Sequence, residues 1–422
     1  MRLLDPIYGN ITMVGPLEDL IRTPAVQRLR DVRQSNIDSL SMPGISNVSR
    51  YEHCIGAAHL ATRVGFRHQL TEVDAVVLQA AALLHDVFIA PFGHLVEEAL
   101  RYVGVQFNHE EKASQLLQSG TRAEEELGGV DLQMYVGRQA GIRRWAERTF
   151  QFAAAEKLQI IFAAGRGRGP FGHCIAGDVD LDNLDNLTRM AFHMGLEVDR
   201  TLPVRVAEAM RECSEEGIVF SDIVRCMLEE WLHLRATVYR KFMLSREDFV
   251  GKVMLIFATV TAYRRNVLGP PQYAWRMTDR ELIACLAGSR DPEIRQAIDA
   301  WLLSELWPLS DLLWMQGHAP SYAEVLAFGE ALSEQLQRPC FCYRIADKRV
   351  RRLEVRTQGQ VLAIGREPDR WLLGAAARSR SKPFSTDDSR RIRLAASEFF
   401  NTQCLGRADS EAEGETSELA LF

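Results

Sequence analysis

The sequence predicts a mainly α-helical fold that is followed by a small α/β module. Between residue 50 and about residue 262, apolar side chains recur at helical spacing, and the run at 76–87 is apolar almost all round, which is typical of a buried helix. Beyond residue 338 the pattern changes to short segments rich in β-branched and aromatic residues, which indicate strands. These observations divide the chain into a helical core at 1–334, an α/β module at 335–405 and a tail at 406–422.

The predicted helices follow one another along the core. Residues 5–9 have turn chemistry, and Thr23-Pro24 supplies a cap and a first-turn proline for a helix at 25–34. A polar loop at 41–49 precedes a long helix that begins near Arg50. The segment 270–332 continues the helical pattern, with Trp275, Trp301, Trp307 and Trp314 as core candidates. Further helices are predicted at 72–87, 95–102, 110–118, 141–152, 182–194, 204–212, 223–241 and 247–262.

The C-terminal module is predicted from strand signals and one helical pattern. Turns at 347–348 and 358–359 separate the strands. Acidic residues set among Ser, Ala and Gly after residue 407 are typical of a disordered tail. The strands are expected at 340–344, 350–356, 360–364 and 371–373, with a closing helix at 386–399.

Composition narrows the class of protein. At 422 residues the chain exceeds one ordinary core, and its 47% apolar and 25% charged residues are usual for a globular protein. A net charge of −6 gives no overall basic balance, so nucleic-acid binding is not favoured. The eight cysteines are dispersed without a CxxC pair, which fits a reducing cytosol. No apolar stretch reaches the roughly 18 residues that a membrane span needs, so we expect a cytoplasmic protein with no membrane contact.

Four histidine and aspartate residues form a candidate metal site: His53, the adjacent pair His85-Asp86, and Asp182. Neutral imidazole nitrogen and carboxylate oxygen suit a divalent ion such as Mn, Mg, Fe or Zn. His85 and Asp86 end the most hydrophobic helix, where only a partner such as a cation would offset their desolvation. Each residue alone has a plainer interpretation, as a cap, a core histidine or a solvated helix N-terminus. Only convergence in the fold would make them a site.

The order and spacing of several motifs resemble the HD-domain phosphohydrolases, in the branch of the deoxynucleoside triphosphate triphosphohydrolases. The resemblance extends from about residue 3 to residue 262. The matching stretches are Asp5-Pro6-Ile7-Tyr8-Gly9, the run 23–30 with Gln34, Ser49-Arg50-Tyr51-Glu52-His53 with Gly56, His85-Asp86 with Pro91-Phe92-Gly93-His94, Asn108-His109-Glu110, and Asp180-Leu181-Asp182 with Asp185.

The resemblance implies a multi-helix HD-domain core and a metal-dependent reaction. In that reaction water attacks the α-phosphate of a (deoxy)nucleoside triphosphate, and nucleoside and inorganic triphosphate leave. It also implies a homo-oligomer and nucleotide effectors. The residues that it assigns are, as metal ligands, His53, His85, Asp86 and Asp182; as catalytic histidines, His94 and His109; and as substrate contacts, Gln34, Arg50, His233 and Arg235.

The match departs from the family pattern around the substrate. Phe88-Ile89 stand where the family has Gly-His, so an apolar side chain replaces an imidazole expected to face the phosphates. Met190 and Met243 replace an aspartate and a tyrosine that face the sugar. The metal set is therefore intact, while the sugar and base pocket is altered.

Two other hypotheses remain open. The altered pocket suits an HD phosphodiesterase or nuclease that acts on cyclic nucleotides or a nucleic-acid end, and Ile89 suits a degenerate HD domain that binds nucleotide and signals through residues 335–405. Basic residues between 348 and 356 alternate with apolar ones. We favour a solvent-facing strand side for them over a contact with an anionic effector or nucleic acid.

Overall fold

The computed structural model describes residues 1–36, 39, 41–112, 141–378 and 382–408. It confirms the predicted class, a mainly helical protein with small sheets and an α/β region near the C-terminal end. The predicted helix at 110–118 lies mostly outside the described residues, and so does the predicted acidic tail beyond residue 408.

The N-terminal part is a hairpin followed by short helices. Strands β1 (Arg2–Asp5) and β2 (Gly9–Thr12) pair antiparallel, and Asp5 Oδ1 accepts the Ile7 amide at 2.8 Å in their turn. The predicted helix at 25–34 is shorter than expected and ends in a 3-10 turn at Leu29–Asp31. The chain then becomes extended because the Gln34 amide donates to the Val48 carbonyl at 2.8 Å. The short helices are α1 (Pro16–Ile21), α2 (Pro24–Arg28) and α3 (Pro43–Ser46), the last of which lies in the expected loop.

Three helices form the centre of the core: α4 (Arg50–Arg67), α5 (Glu72–Leu84) and α6 (His94–Tyr102). The Thr71 hydroxyl caps α5 by accepting the Asp74 amide at 3.1 Å. Helix α5 is buried from residue 80 to residue 84 and ends three residues earlier than predicted, because the chain turns tightly through His85 and Asp86. This turn places both polar side chains at the end of a buried helix.

A second tight turn precedes α6. Phe92 and Gly93 have φ angles of 52° and 58°, and a Cβ atom on Gly93 would lie 2.6 Å from Arg50 Nη2. The buried Asp279 carboxyl accepts the Phe92 amide at 2.6 Å and the Arg33 amide at 3.0 Å. Burial raises the pKa of Asp279 to about 6. Asp279 therefore joins two segments that lead to candidate site residues.

The later helices were mostly predicted, with shifted ends. The predicted helix at 204–212 stops at Ala209, because the chain enters a hairpin of β3 (Met210–Ser214) and β4 (Gly217–Phe220) that the sequence did not indicate. The helix at 154–164 was not predicted either. The helices from residue 142 onward are α7 (Ile142–Phe150), α8 (Ala154–Ala164), α9 (Gly172–Ile175), α10 (Leu181–His193), α11 (Leu202–Ala209), α12 (Val224–Leu244), α13 (Arg246–Arg264), α14 (Asp279–Ala287), α15 (Pro292–Leu302), α16 (Tyr322–Leu336) and α17 (Thr386–Phe399).

Six further strands are β5 (Leu313–Gln316), β6 (Cys340–Ala346), β7 (Arg352–Thr357), β8 (Val361–Gly365), β9 (Arg370–Ala377) and β10 (Cys404–Arg407). They complete two four-stranded sheets, with strand orders β10-β5-β9-β6 and β3-β4-β7-β8. Strand β5 lies inside the segment 270–332 that was expected to be helical. Its pairing with β9, in the register Leu313↔Leu373, outweighs the local helical pattern. Each sheet joins strands from both sides of residue 335.

Buried polar contacts attach strand β6 to the helical core. The Tyr102 hydroxyl donates to the Cys342 carbonyl at 3.1 Å, and the Tyr343 hydroxyl donates to Glu98 at 2.7 Å. Lys252 on α13 pairs with the same Glu98 carboxylate at 2.9 Å. These contacts bring the loop after β6 toward the candidate site.

The tryptophans chosen as core candidates divide by burial. Trp275, Trp307 and Trp314 are buried, whereas Trp301 is partly exposed and packs edge-on against Phe92. Among the described residues, the helices are too short or too polar for any of them to cross a bilayer.

Candidate metal centre and active site

The four predicted metal ligands come from three helices. His53 lies in the first turn of α4, His85 and Asp86 follow α5, and Asp182 lies in the first turn of α10. Asp180 caps α10 by accepting the Asn183 amide at 2.6 Å, which orients this first turn. The ligands are far apart in sequence, so their positions depend on how these helices pack.

The structure brings the four side chains together. His53 Nε2 lies 3.2 Å from His85 Nε2 and 3.0 Å from Asp182 Oδ1. His85 Nε2 lies 3.4 Å from Asp86 Oδ2 and 3.6 Å from Asp182 Oδ1. His53, His85 and Asp86 also form a group whose ligand atoms all lie within 4.8 Å of one another. Asp182 completes the set from α10, with 32% of its side chain exposed toward the cavity described below.

The Nδ1 atoms of His53 and His85 already make hydrogen bonds within the protein. His85 Nδ1 donates to the Ala82 carbonyl at 2.8 Å, and His53 Nδ1 lies 2.7 Å from Asp185 Oδ2. A carbonyl oxygen accepts only, and a carboxylate accepts when ionised, so each neutral ring keeps its lone pair on Nε2. Two such lone pairs then face each other beside carboxylate oxygens. The donor set therefore fits a divalent cation, whose charge would remove this repulsion.

The electrostatics of the cluster favour a positive charge between its carboxylates. Burial opposes protonation of His85, but the carboxylates of Asp86 and Asp182 outweigh burial and hold the pKa of His85 well above its ordinary value. Burial likewise opposes ionisation of Asp182, yet His85 and His53 keep the pKa of Asp182 below its ordinary value. A bound cation would replace the protons that these histidines attract.

Asp86 connects the metal set to two further predicted residues. Arg50 Nη1 donates to Asp86 Oδ2, and His109 Nε2 lies 3.3 Å from Asp86 Oδ1. Arg50 Nε also donates to the Arg33 carbonyl at 3.3 Å. The guanidinium is thus fixed at the edge of the cluster, where it can reach an anionic ligand.

Glu97 joins the two predicted catalytic histidines. Its Oε1 lies 2.7 Å from His109 Nδ1 and its Oε2 lies 3.0 Å from His94 Nδ1. His109 is buried, whereas the His94 side chain is 50% exposed. Burial lowers the proton affinity of His109, but hydrogen bonds to Asp86 and Glu97 outweigh it and raise the pKa of His109 to about 10.

A cavity of about 220 Å³ opens over these residues. Lysines, carboxylates and side-chain amides lie around its wall together with a group of methionine and aromatic side chains. Of the predicted residues, all except His53, His233 and Arg235 line the cavity. The wall also includes Lys252, Lys348, Asp248, Asn183, Asn186, Met190, Met243, Tyr239, Phe242 and Phe249.

The substrate contacts predicted from the resemblance divide into two groups. Gln34 and Arg50 line the cavity. His233 is exposed and Arg235 lines an adjoining cavity with Lys348, so the structure does not bring this pair to the metal set. Met190 and Met243 do line the main cavity, whereas Ile89 is buried in the core.

Sequence reasoning missed several residues that shape the site. Glu97 lies three residues after His94, a spacing that places both on one helix face and was a usable signal. Asp185 was noted only as part of a matching motif. Its partner Arg189, four residues later, donates to both of its oxygens. Lys252 had no such signal. Lys348 was noted only in the basic run at 348–356, which was interpreted as a solvent-facing strand side, whereas the structure places it on the cavity wall.

Comparison with known proteins agrees with this geometry. Residues 50–139 match the HD domain family. This segment contains His53, His85 and Asp86, three of the four residues of the histidine-aspartate cluster, so this part of the chain is similar to an HD domain.

Among curated proteins, the chain is similar to deoxynucleoside triphosphate triphosphohydrolases. The SAMHD1 homolog of Dictyostelium discoideum is 28% identical over 202 residues, which are 45% of this chain and 36% of the relative. SAMHD1 of Danio rerio is 26% identical over 56% of this chain and 41% of its own length, and SAMHD1 of Gallus gallus is 30% identical over 60% and 44%. The chain thus spans less than half the length of these relatives.

Proposed function

We propose that this chain is a metal-dependent phosphohydrolase that converts (deoxy)nucleoside triphosphates into nucleoside and inorganic triphosphate. The observation that carries the proposal is the convergence of His53, His85, Asp86 and Asp182 beneath a cavity that also contains Arg50 and two histidines. The curated relatives named deoxynucleoside triphosphate triphosphohydrolases support the same substrate class.

The four ligands would hold one divalent ion, with Mn, Mg, Fe and Zn as the candidates that this donor set accepts. When bound, the ion supplies Lewis-acid activation of water and of a phosphate oxygen. His53 and His85 are oriented for this role by Asp185 and the Ala82 carbonyl, which fix both rings with Nε2 inward.

The remaining residues act directly on the substrate. Arg50 lies against Asp86 and would neutralise phosphate charge through its guanidinium. His94 Nδ1 is hydrogen-bonded to Glu97, so the imidazolium form of this exposed ring carries its second proton on Nε2 and would give that proton to the departing nucleoside oxygen. Lys252 and Lys348 add positive charge to the same cavity.

An HD phosphodiesterase remains the second candidate, because Met190 and Met243 give the cavity an apolar wall where the family resemblance led us to expect polar groups. The two activities release different products. Inorganic triphosphate follows from attack at the α-phosphorus of a triphosphate, whereas a phosphodiesterase leaves a 5′-monophosphate.

A nucleotide panel tests the proposal. The eight common ribo- and deoxyribonucleoside triphosphates would each be incubated with the protein and Mn²⁺ or Mg²⁺, and products separated by chromatography. We expect nucleoside and triphosphate, and Asp182→Ala should reduce turnover by at least about 1,000-fold because the ion loses a ligand.

Asp178→Ala is the matched control. This aspartate lies four residues before Asp182, but it is exposed and pairs with Arg351. It should keep wild-type turnover. Parallel incubation with a 3′,5′-cyclic nucleotide and a single-stranded oligonucleotide would detect the phosphodiesterase through release of a 5′-monophosphate. No turnover of any nucleotide, with no metal bound, would favour a nucleotide-binding regulator.

Three broader expectations stay proposals. A homo-oligomer and a nucleotide effector follow from the family resemblance alone. A cytoplasmic location is supported by the eight cysteines, all of which are free thiols.

A further inference from the structure

One part of the cavity wall contains buried polar atoms that have no partner. Asp248, near the start of α13, is 2% exposed and lines the cavity. Its Oδ2 accepts the hydroxyls of Ser39 and Ser41, each at 2.9 Å. Its Oδ1 has no hydrogen-bond partner among the described residues.

Gln34 is a second cavity residue whose buried polar atoms have no partner among the described residues. It is 3% exposed, lines the cavity, and neither its Oε1 nor its Nε2 meets a partner in the described parts of the chain. Asn186 Oδ1, on α10, is also buried without a partner there. Leaving a buried polar atom unpaired is costly, so three such residues around one cavity indicate a ligand that pairs with them.

The chemistry of these atoms selects the ligand group. Asp248 Oδ1 and Asn186 Oδ1 can only accept, and Gln34 can both accept and donate. The cavity wall also contains apolar side chains, among them Met190, Met243 and Phe249. A group that fits must therefore carry hydrogen-bond donors on an otherwise flat or apolar body. A phosphate, which has no donor at neutral pH, does not fit.

We propose that Asp248 is a specificity residue that accepts a hydrogen bond from the nucleoside half of the substrate, while Gln34 lines the same cavity. This inference rests on the proposed function and names the part of the substrate that the cavity recognises. The donor is either a sugar hydroxyl or a base amino group. In a buried site, a group that pairs with a carboxylate is distinguished sharply from an analogue without it.

Asp248→Asn separates recognition from folding. The asparagine oxygen can still accept from Ser39 and Ser41, whereas its amide nitrogen replaces the unpaired Oδ1 and turns an acceptor into a donor. Ser41→Ala is the converse control, because it removes one support of Asp248 and leaves Oδ1 in place. Thermal unfolding of both variants would establish that they fold.

Dissociation constants for four ligands would be measured by calorimetry: adenosine triphosphate, its 2′-deoxy and 3′-deoxy forms, and inosine triphosphate. We expect wild type to bind at least one analogue about 10- to 100-fold more weakly than adenosine triphosphate. Asp248→Asn should remove that difference, and Ser41→Ala should keep it. Weaker binding of a deoxy form identifies a sugar hydroxyl as the donor, and weaker binding of inosine triphosphate identifies the base amino group.

Equal binding of all four ligands to wild type, or equal ratios in wild type and Asp248→Asn, would overturn the proposal. The calorimetry is run without a divalent ion, so no turnover accompanies binding and the result is separate from the test of hydrolysis. Discrimination without any turnover would keep this subsite and remove the hydrolase. Turnover without discrimination would keep the hydrolase and remove this subsite.

Discussion

At the scale of single residues, the site depends on carboxylates that do not themselves face the cavity. Asp185 is fully buried between His53 Nδ1 and the Arg189 guanidinium. Burial raises the proton affinity of Asp185, but Arg189 and His53 outweigh it and lower the pKa of Asp185 to about 2. It is therefore ionised at neutral pH and fixes the tautomer of His53.

Asp185→Asn should weaken metal binding by about 10- to 100-fold, because outer partners of a ligating histidine orient its ring and raise its basicity. The measurement is a titration of the metal-free protein with Mn²⁺. Asp178→Asn, an exposed aspartate just before the same helix, should bind as wild type does. An unchanged affinity in Asp185→Asn would show that His53 needs no such support.

Residue types indicated the candidate metal ligands of this site but not the residues that support them. The sequence predicted His53, His85, Asp86 and Asp182 because imidazole and carboxylate ligands are recognisable by chemistry and order. Glu97 and Asp248 are ordinary helix residues until packing places them, so their roles depend on tertiary contacts. The family resemblance also assigned His233 and Arg235 as substrate contacts, but in the fold both lie outside the main cavity.

At the scale of elements, the close packing of α4 on α10 sets the geometry of the ligands. A Cβ atom on Gly56 would lie 1.9 Å from Asp185 Oδ1 and 2.3 Å from Arg189 Nη2. Only glycine allows the two helices this approach. The same contact holds Asp185 against His53, so helix packing and metal-ligand orientation are linked.

Gly56→Ala should therefore destabilise the protein by about 1–3 kcal/mol through overpacking and also weaken Mn²⁺ binding. Gly65→Ala is a control in the same helix, where the added Cβ would meet Ala75 Cβ at an ordinary 3.7 Å. It should be neutral or slightly stabilising, since alanine is the better helix former. Chemical unfolding measures both, and equal effects of the two variants would refute the packing argument.

Helix periodicity predicted most helices, and tertiary pairing explains the exceptions. The extended segment after Asp31 is held by backbone bonds between residues 32–34 and 48–50. Strands β3, β4 and β5 are only four or five residues long and gain their structure from distant partners. Local patterns carry no information about such pairings.

At the scale of the whole molecule, the predicted division at residue 335 crosses two sheets. Strand β4 pairs with β7, and β5 pairs with β9. The buried contact between Glu98 and Tyr343 also crosses this position. The two parts therefore share one set of structural contacts, although the strand pattern after residue 338 differs visibly from the helical pattern before it.

A chain truncated after residue 334 should lose cooperative unfolding, because β4 and β5 lose strand partners and Glu98 and Lys252 lose the Tyr343 side of their buried cluster. Differential scanning calorimetry of the full and truncated chains measures this. The full chain should unfold in one transition. A truncated chain that melts as sharply as the full one would identify 1–334 as an independent domain.

The central claim is that His53, His85, Asp86 and Asp182 hold one divalent ion. Anomalous diffraction from crystals of the full chain grown with Mn²⁺ tests it most directly. We predict a single strong peak bonded to the Nε2 atoms of both histidines and to both carboxylates. No peak at that position under saturating Mn²⁺, or one bound elsewhere, would contradict the account.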